Sequence, residues 1–475
     1  MSGDAKPCEG QPRSERGRVS RALLRRERDL PSLFAHATML SPSFGDKRMF
    51  AREMRDQVRK TRLENGLTVI TERMPWLRSA TVGIWVRRGS RHEPAELNGI
   101  CHFIEHAVFK GTLRRTALDI AIETDRLGGH LDAYTMHELT GFSLKVVDTA
   151  IEQAFDLLSD IVARPRFAPE DLAIEQRVIL EEIKMVEDTP EELLAELFND
   201  AFFPQHPLGR PIEGTPATVP TFDRERTLNF HRRSYAPRNI VVAAAGNIEH
   251  ERLVELAAQV FSAVPSEDDA PSVERPTPAA PILIERKRDL EQAHMILAAP
   301  WPSARSEERF AANLLISILG GGTSSRLWQT IREERGLAYS VGAATSAFSD
   351  VGVFQAYAGT SPDQLGEVLD LSMRELRRIA REPVSDEELR LAKDQAISSI
   401  LLGLESSSMR AGTLARQEII HGRYIPPEET IELIERVTPE DLQNLARTYF
   451  QTERMAFGAL GDLNGFRVDR ARLEI

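Results

Sequence analysis

Residues 98–112 read Asn-Gly-Ile-Cys-His-Phe-Ile-Glu-His-Ala-Val-Phe-Lys-Gly-Thr, which sets His102, Glu105 and His106 within five positions. On a helix, His102 and His106 stand at i and i+4 and project from one face, a turn apart. That spacing lets two imidazole nitrogens reach one zinc ion at roughly 2.0–2.1 Å. Glu105 lies beside such an ion without ligating it, where a carboxylate takes a proton from water. Asn98 and Gly99 make a helix start, and Ile100, Phe103, Ile104 and Val108 supply its apolar positions. HxxEH is the reversed form of HExxH, and both are metallopeptidase signatures. Five residues alone are weak evidence, since two surface histidines beside a solvated glutamate give the same pattern. Cys101, next to His102 in the chain, faces away from it and is not counted as a ligand.

Catalytic zinc usually has three protein ligands and keeps a further position open. Residues 170–188 offer Glu175, Glu181, Glu182 and Glu187. Glu175 and Glu182, seven apart, share a helix face, although an acidic helix turned to solvent looks the same. Farther on, the glycine-rich run 320–326 lacks the GK[ST] ending of a phosphate loop and reads as a loop between helices. Arg332 and Tyr339 follow it, a guanidinium and a phenol suited to a developing oxyanion, or else a surface arginine and a core tyrosine.

Composition narrows these choices. The chain has 475 residues and two cysteines, Cys8 and Cys101, which excludes a disulfide framework and paired CxxC zinc sites. Any metal must therefore be held by histidines and carboxylates. With 41% apolar and 28% charged residues the chain reads as globular, and no run approaches the ~20 apolar residues of a membrane span. The net charge of −12 divides into +6 over residues 1–60 and −18 over the rest. An acidic body argues against nucleic-acid binding and suits cationic partners such as basic peptides, though solubility explains it equally well. Residues 1–60 are arginine-rich without the apolar core of a signal peptide, and Asp4, Glu9, Glu15, Glu27 and Asp29 speak against a transit peptide. They read as a disordered segment or an upstream start codon. Cytoplasm is the expected location, with the mitochondrial matrix as the alternative.

The elements that must position these groups begin at Thr61. A hairpin turns at Asn65-Gly66, and a strand runs from Thr81 to Gly89. Helices are expected over 116–128 and 148–163, with strand-like sequence at 130–147 between them. A long helix follows Pro169, and a buried strand lies within 235–248. Five prolines in residues 265–281 mark a linker between halves at 61–264 and 282–475. Residues 163–183 echo 380–400 at an offset of 217, which sets Glu175 against Ala392 and Glu182 against Ser399. A duplicated α+β unit with one half stripped of its carboxylates accounts for this. Only His294 and His421 of the 11 histidines fall in the second half, so no independent zinc site is expected there.

His102, Glu105 and His106, followed 76 residues after His106 by Glu182, resemble the zinc site of the insulinase (pitrilysin-like) metallopeptidases. That family includes the mitochondrial processing peptidase and its bacterial relatives. The likeness runs over about 61–465 and takes in residues 108–112, 126–135, 206–215, 235–248 and 320–341. It implies an α+β fold of two homologous α/β-sandwich-like halves, each an antiparallel sheet covered by helices, in a clamshell arrangement. It also implies one Zn²⁺ per chain on His102, His106 and Glu182, with Glu105 as general base and Glu175 in support. Gly320, Gly321 and Gly322 would handle substrate, and Arg332 and Tyr339 would reach across from the opposite half. Asp132, Ala133 and Tyr134 would align the substrate backbone; Asp132 stands where the family usually has Asn, and so lacks an amide donor. The implied activity is zinc-dependent endopeptidase hydrolysis of short or unfolded peptides, and the −18 body would favour basic ones. The alternative is an inactive structural or recognition subunit of a processing-peptidase-like complex. The implied partner is a second copy of the chain, or an inactive homologue.

Overall fold

Asn65-Gly66 turns the chain back on itself: Gly66 takes φ 89°, and β1 (Val58–Arg62) pairs antiparallel with β2 (Thr68–Arg73). A computed structural model describes residues 57–264, 273–463 and 465–475. Most of the segment expected to be disordered, and residues 265–272 of the proline-rich stretch, lie outside the described residues. Pairing begins at Val58, slightly before the boundary drawn at 61.

With β3 (Ser79–Val86), β4 (His130–Thr135), β5 (Thr140–Val147) and β6 (Ile240–Gly246), these strands form a sheet ordered β1-β2-β6-β3-β5-β4. A second sheet has β7 (Ile282–Arg286), β8 (Ala293–Trp301), β9 (Ala338–Ala347), β10 (Gly352–Thr360) and β11 (Ala456–Gly461) in the order β7-β11-β8-β10-β9. Without β1 the two orders are the same, and so is the sense of every pairing. The sheets are mixed rather than wholly antiparallel, because β2·β6 and β7·β11 are parallel. Long helical connections allow this by letting the last strand return beside the first in the same direction. β3 stops at Val86 instead of Gly89 because the chain then folds over the β4–β5 turn. A side chain at Gly89 would meet the Met136 carbonyl at 2.0 Å.

The first set of helices is α1 (Ile100–Ala107), α2 (Ala117–Leu127), α3 (Ile151–Ala163), α4 (Pro169–Asp188), α5 (Pro190–Phe202), α6 (Arg224–Ser234) and α7 (His250–Phe261). The second is α8 (Arg309–Gly320), α9 (Leu365–Arg381), α10 (Asp386–Gly403), α11 (Ser407–His421), α12 (Pro427–Arg436) and α13 (Pro439–Tyr449). Strand residues alternate between two cores, as the pleat requires. Val242 and Ala244 of β6 face Phe155, Leu158 and Phe261 of the first half's own helices. Val241, Ala243 and Ala245 face Ala411, Leu414 and Ala415 of α11, from the other half. The exchange is reciprocal: Leu194, Phe198 and Phe202 of α5 cover Ile296, Ala298, Val353 and Leu460 of the second sheet. Arg410 of α11 reaches Glu72 of β2 at 2.6 Å, with both side chains at most 5% exposed. The described residues thus pack as one unit, each sequence half lending a helix to the other's sheet. Among the described residues no helix is long and apolar enough to cross a membrane.

Candidate metal centre

α1 is two turns long and packs against α4 and the edge strand β4, which places three polar side chains of one motif over an acidic helix. Its apolar face buries Ile100, Phe103, Ile104 and Ala107, and this burial turns His102, Glu105 and His106 outward. The imidazoles of His102 and His106 meet edge to face with ring centroids 4.5 Å apart. Glu182 of α4 approaches both, Oε2 lying 3.9 Å from His102 Nε2 and 3.8 Å from His106 Nε2. Among the described residues these three are the only His, Cys, Asp or Glu group whose ligand atoms all lie within 4.8 Å of one another. Tetrahedral donors at roughly 2.1 Å from zinc stand about 3.4 Å apart, so a slight contraction of this triangle fits the ion. Two imidazoles and one carboxylate are also the donor chemistry of catalytic zinc, and they leave a side open. Glu181 instead points to solvent and binds Lys184 at 2.7 Å.

A second layer holds this triangle. Glu175, two turns before Glu182 on the same helix face, is buried and lies 3.2 Å from His106 Nδ1 and 2.7 Å from Lys110 Nζ. Burial alone would raise its pKa, but the bonds from His106 and Lys110 outweigh it and hold the carboxyl below its usual range. The same contact raises the pKa of His106 against the effect of burial. Burial, reinforced by the charge of His106, pushes His102 down to about 4, so its ring is neutral and available as a donor near pH 7. His102 Nδ1 is buried without a hydrogen-bond partner, in contrast to the anchored His106. Glu105 Oε2 accepts the Thr135 hydroxyl at 2.6 Å. Burial pushes the Glu105 pKa up, and the charges of Asp132 and Glu182 add to that. Glu182 is likewise raised, by burial first and then by Glu213 and Glu175, against the pull of His106.

Asp132, Ala133 and Tyr134 lie on β4, at the edge of the first sheet, which among the described residues pairs only with β5. Asp132 is exposed, while the Tyr134 hydroxyl accepts from Trp85 Nε1 at 2.9 Å. Arg332 and Tyr339 lie against each other. The guanidinium sits 4.6 Å from the Tyr339 ring centre and donates to the Tyr339 carbonyl at 2.8 Å, and the Tyr339 side chain is largely exposed. No hydrogen bond or ion pair links either residue to the His102–His106–Glu182 group among the described residues. Gly320 closes α8 where a side chain would strike Ala343 N of β9 at 2.2 Å, so close packing alone demands a glycine there. Gly321 backs onto Ser317, and Gly322 faces open space.

Sequence reading did not single out Lys110, Thr135 or Glu93. Lys110 was signalled by its place four residues after His106, on the same side of the turn. Thr135 ends a strand whose neighbours were noticed, but nothing local ties it to Glu105. Glu93 holds the start of α1 from outside the helix, and that is visible only in three dimensions.

Known proteins resemble this chain in both sequence and fold. Residues 68–216 match the family model for insulinase (peptidase family M16), and residues 221–396 match the model for the peptidase M16 inactive domain. An uncharacterised zinc protease of Mycobacterium leprae is 41% identical over 392 residues, covering 82% of this chain and 88% of that protein. The uncharacterised zinc protease YmxG of Bacillus subtilis is 34% identical over 393 residues, or 83% of this chain and 96% of its own. In fold, the chain is similar to a protease from Helicobacter pylori with a TM-score of 0.79 at 21% identity, covering 85% of this chain and 99% of that one. A peptidase M16 inactive domain from Pseudomonas fluorescens gives 0.80 at 21% identity, over 85% and 98% of the two chains. The sequence matches run through both the half that carries His102, His106 and Glu182 and the half that does not, and by them the chain belongs to the insulinase family of M16 peptidases.

Proposed function

We propose that the chain is an active zinc metalloendopeptidase, with His102, His106 and Glu182 as the metal ligands and Glu105 as the general base. The observation that carries this reading is the convergence of His102 Nε2, His106 Nε2 and Glu182 Oε2 beside a carboxylate that is not part of the triangle. The zinc-protease names of relatives at 34–41% identity support the choice of metal. When bound, zinc supplies a Lewis acid that brings the pKa of water toward ~7 and polarises a carbonyl.

The chain's own groups do the rest. Glu175 Oε2 accepts the Nδ1–H of His106, fixing the tautomer whose Nε2 lone pair faces Glu182, and Lys110 keeps Glu175 ionised. Thr135 holds one oxygen of Glu105 and leaves the other to take a proton from water and return it to the leaving amine. The outer edge of β4 at Asp132–Tyr134 suits an extended peptide that adds as a strand. Arg332 and Tyr339 are assigned to the oxyanion, and Gly320–Gly322 to substrate handling, on the family resemblance alone. Short or unfolded peptides as substrates, and a second copy of the chain as partner, belong to the same reading.

The test is hydrolysis of a quenched, unstructured, basic peptide by wild type and Glu105→Gln, with bound zinc quantified in both. The expected result is about one zinc per chain in each, and a kcat about 10²–10⁴-fold lower in the variant. Undiminished hydrolysis by Glu105→Gln would sink the mechanism. Absence of zinc from the wild type would favour the inactive-subunit reading.

A further inference from the structure

α1 has an unusual beginning. Its N-cap is Gly99 at φ 96°, which has no side chain with which to cap the helix. The capping oxygens come from Glu93 instead, six residues upstream and 3% exposed. Glu93 Oε2 accepts from Gly99 N at 2.8 Å and from Asn98 Nδ2 at 3.2 Å, and Oε1 accepts from Cys101 N at 2.8 Å. All three donors come from the first turn of α1 and the two residues before it. An eight-residue helix has little stability of its own, so its position depends on contacts like these.

The same corner is tied to residues 206–215, a stretch the family resemblance noted but to which no role was given. Asn98 Nδ2 donates to the Pro211 carbonyl at 2.9 Å, and the Thr218 hydroxyl donates to the Asn98 carbonyl at 2.8 Å. Arg210 Nη1 donates to the Glu93 carbonyl at 3.1 Å. Gly99 and Gly214 meet so closely that a side chain at Gly99 would stand 2.5 Å from the Gly214 Cα. The start of α1 and the 210–218 loop therefore hold one another through Glu93, Asn98 and Gly99.

We propose that Glu93 is the positioning residue of the centre: its carboxylate, bolted to the 210–218 loop through Asn98, sets the direction in which His102 and His106 project toward Glu182. The proposal rests on the peptidase reading above and adds to it a residue that touches neither metal nor substrate. Glu93→Gln keeps the volume but turns an NH₂ group toward one of the two backbone N–H donors, so one bond becomes a repulsion. A carboxylate that merely fills the core would leave the folded centre unchanged when replaced in this way.

The experiment measures zinc affinity by chelator competition, together with kcat and KM for the quenched peptide, in wild type, Glu93→Gln and Asn98→Ala. Thermal unfolding of each zinc-free protein is followed in parallel. Glu93→Gln is expected to weaken zinc binding about 10–100-fold and to lower kcat with KM little changed, as for other groups that orient metal ligands. Asn98→Ala, which removes one of the three donors and the bond to Pro211, should shift both in the same direction by less. It keeps the idea testable should Glu93→Gln fail to fold. Wild-type zinc affinity and kcat in folded Glu93→Gln, or in Asn98→Ala where Glu93→Gln does not fold, would overturn the positioning role while leaving the peptidase reading intact. A wild type that holds no zinc would overturn both.

Discussion

α4 and α10 are the same helix drawn twice, and they have been put to different uses. Each follows a proline-led turn and buries residues in its own half's core, and an offset of 217 aligns them. Glu175 and Ala392 are equally buried, at 2% and 3% exposure, yet one holds a histidine and a lysine while the other packs in a hydrophobic core. Glu182 closes the candidate metal triangle, whereas Ser399 is exposed. Asp171 and Glu388 also correspond. Asp171 binds Arg166, while Glu388 grips Arg326 of the glycine-rich segment and caps α10, and the Arg326 bond is the main reason its pKa drops to about 2. The difference teaches that a carboxylate is buried at this position of the frame where a histidine and a lysine are built beside it, and an alanine stands there where they are not.

The largest effect should come from breaking the asymmetry at its centre. Glu182→Gln is expected to abolish stoichiometric zinc and reduce peptide hydrolysis more than ~10³-fold, since metal assistance is worth several kcal/mol. Ser399→Gln, at the matching place, should change neither. Metal analysis and initial rates on the two variants would show whether the halves are as unequal as their sequences.

The exchanged helices give the next largest effects. Phe198→Ala removes an aromatic ring that lies over Gly458 of the second sheet and should cost about 3–5 kcal/mol in denaturant unfolding. Arg410→Ala strands the buried Glu72 in the first sheet and should cost a similar ~3–5 kcal/mol, while a paired apolar replacement of both should recover most of it. A variant that lost far less in one half than in the other would mean that only one of the two exchanges holds the halves together.

Acid should separate the halves more gently. Burial, with nearby arginines adding to it, pushes His92 and His137 of the first half down to about 4, and burial does the same to His231. Their folded-state pKa values lie below the ordinary 6.5, so the stability they favour is complete above that pH and is lost as pH falls toward 4. The second half has only His294 and His421, both partly exposed. Hydrogen exchange between pH 6.5 and 4 should therefore show β3, β5 and β6 losing protection before β8, β10 and β11. Simultaneous loss would mean that the shared helices make one cooperative unit of both.

The smallest effect concerns Asp132. Its charge contributes to the raised pKa of Glu105, after burial. Asp132→Asn restores an amide donor to the edge strand and removes that charge, so the acid limb of the pH–rate profile should move to lower pH, with KM changing by less than about tenfold. An unmoved acid limb would detach Asp132 from the base.

Much of this was legible in the chain. HxxEH on an amphipathic helix, an acidic helix after Pro169 and the Asn65-Gly66 hairpin all rest on local periodicity and turn chemistry, which neighbouring residues determine by themselves. The internal echo foretold two like α+β halves, because duplicated patterns fold alike, but it said nothing of the strand order they share. Other features were beyond any local rule. Nothing in β6 says that one of its faces waits for α11, some 170 residues away, because an apolar run reads the same whichever helix covers it. Parallel pairing of the first and last strands depends on how the intervening helices pack. Glu93, Lys110 and Thr135 acquire their partners only when separate segments meet, since a hydrogen bond is fixed by distance in space and a sequence records only distance along the chain. Residue types and spacing thus set which chemistry this protein is able to attempt; the packing of α1 against α4 and β4 decided which of four candidate glutamates stands beside the histidines.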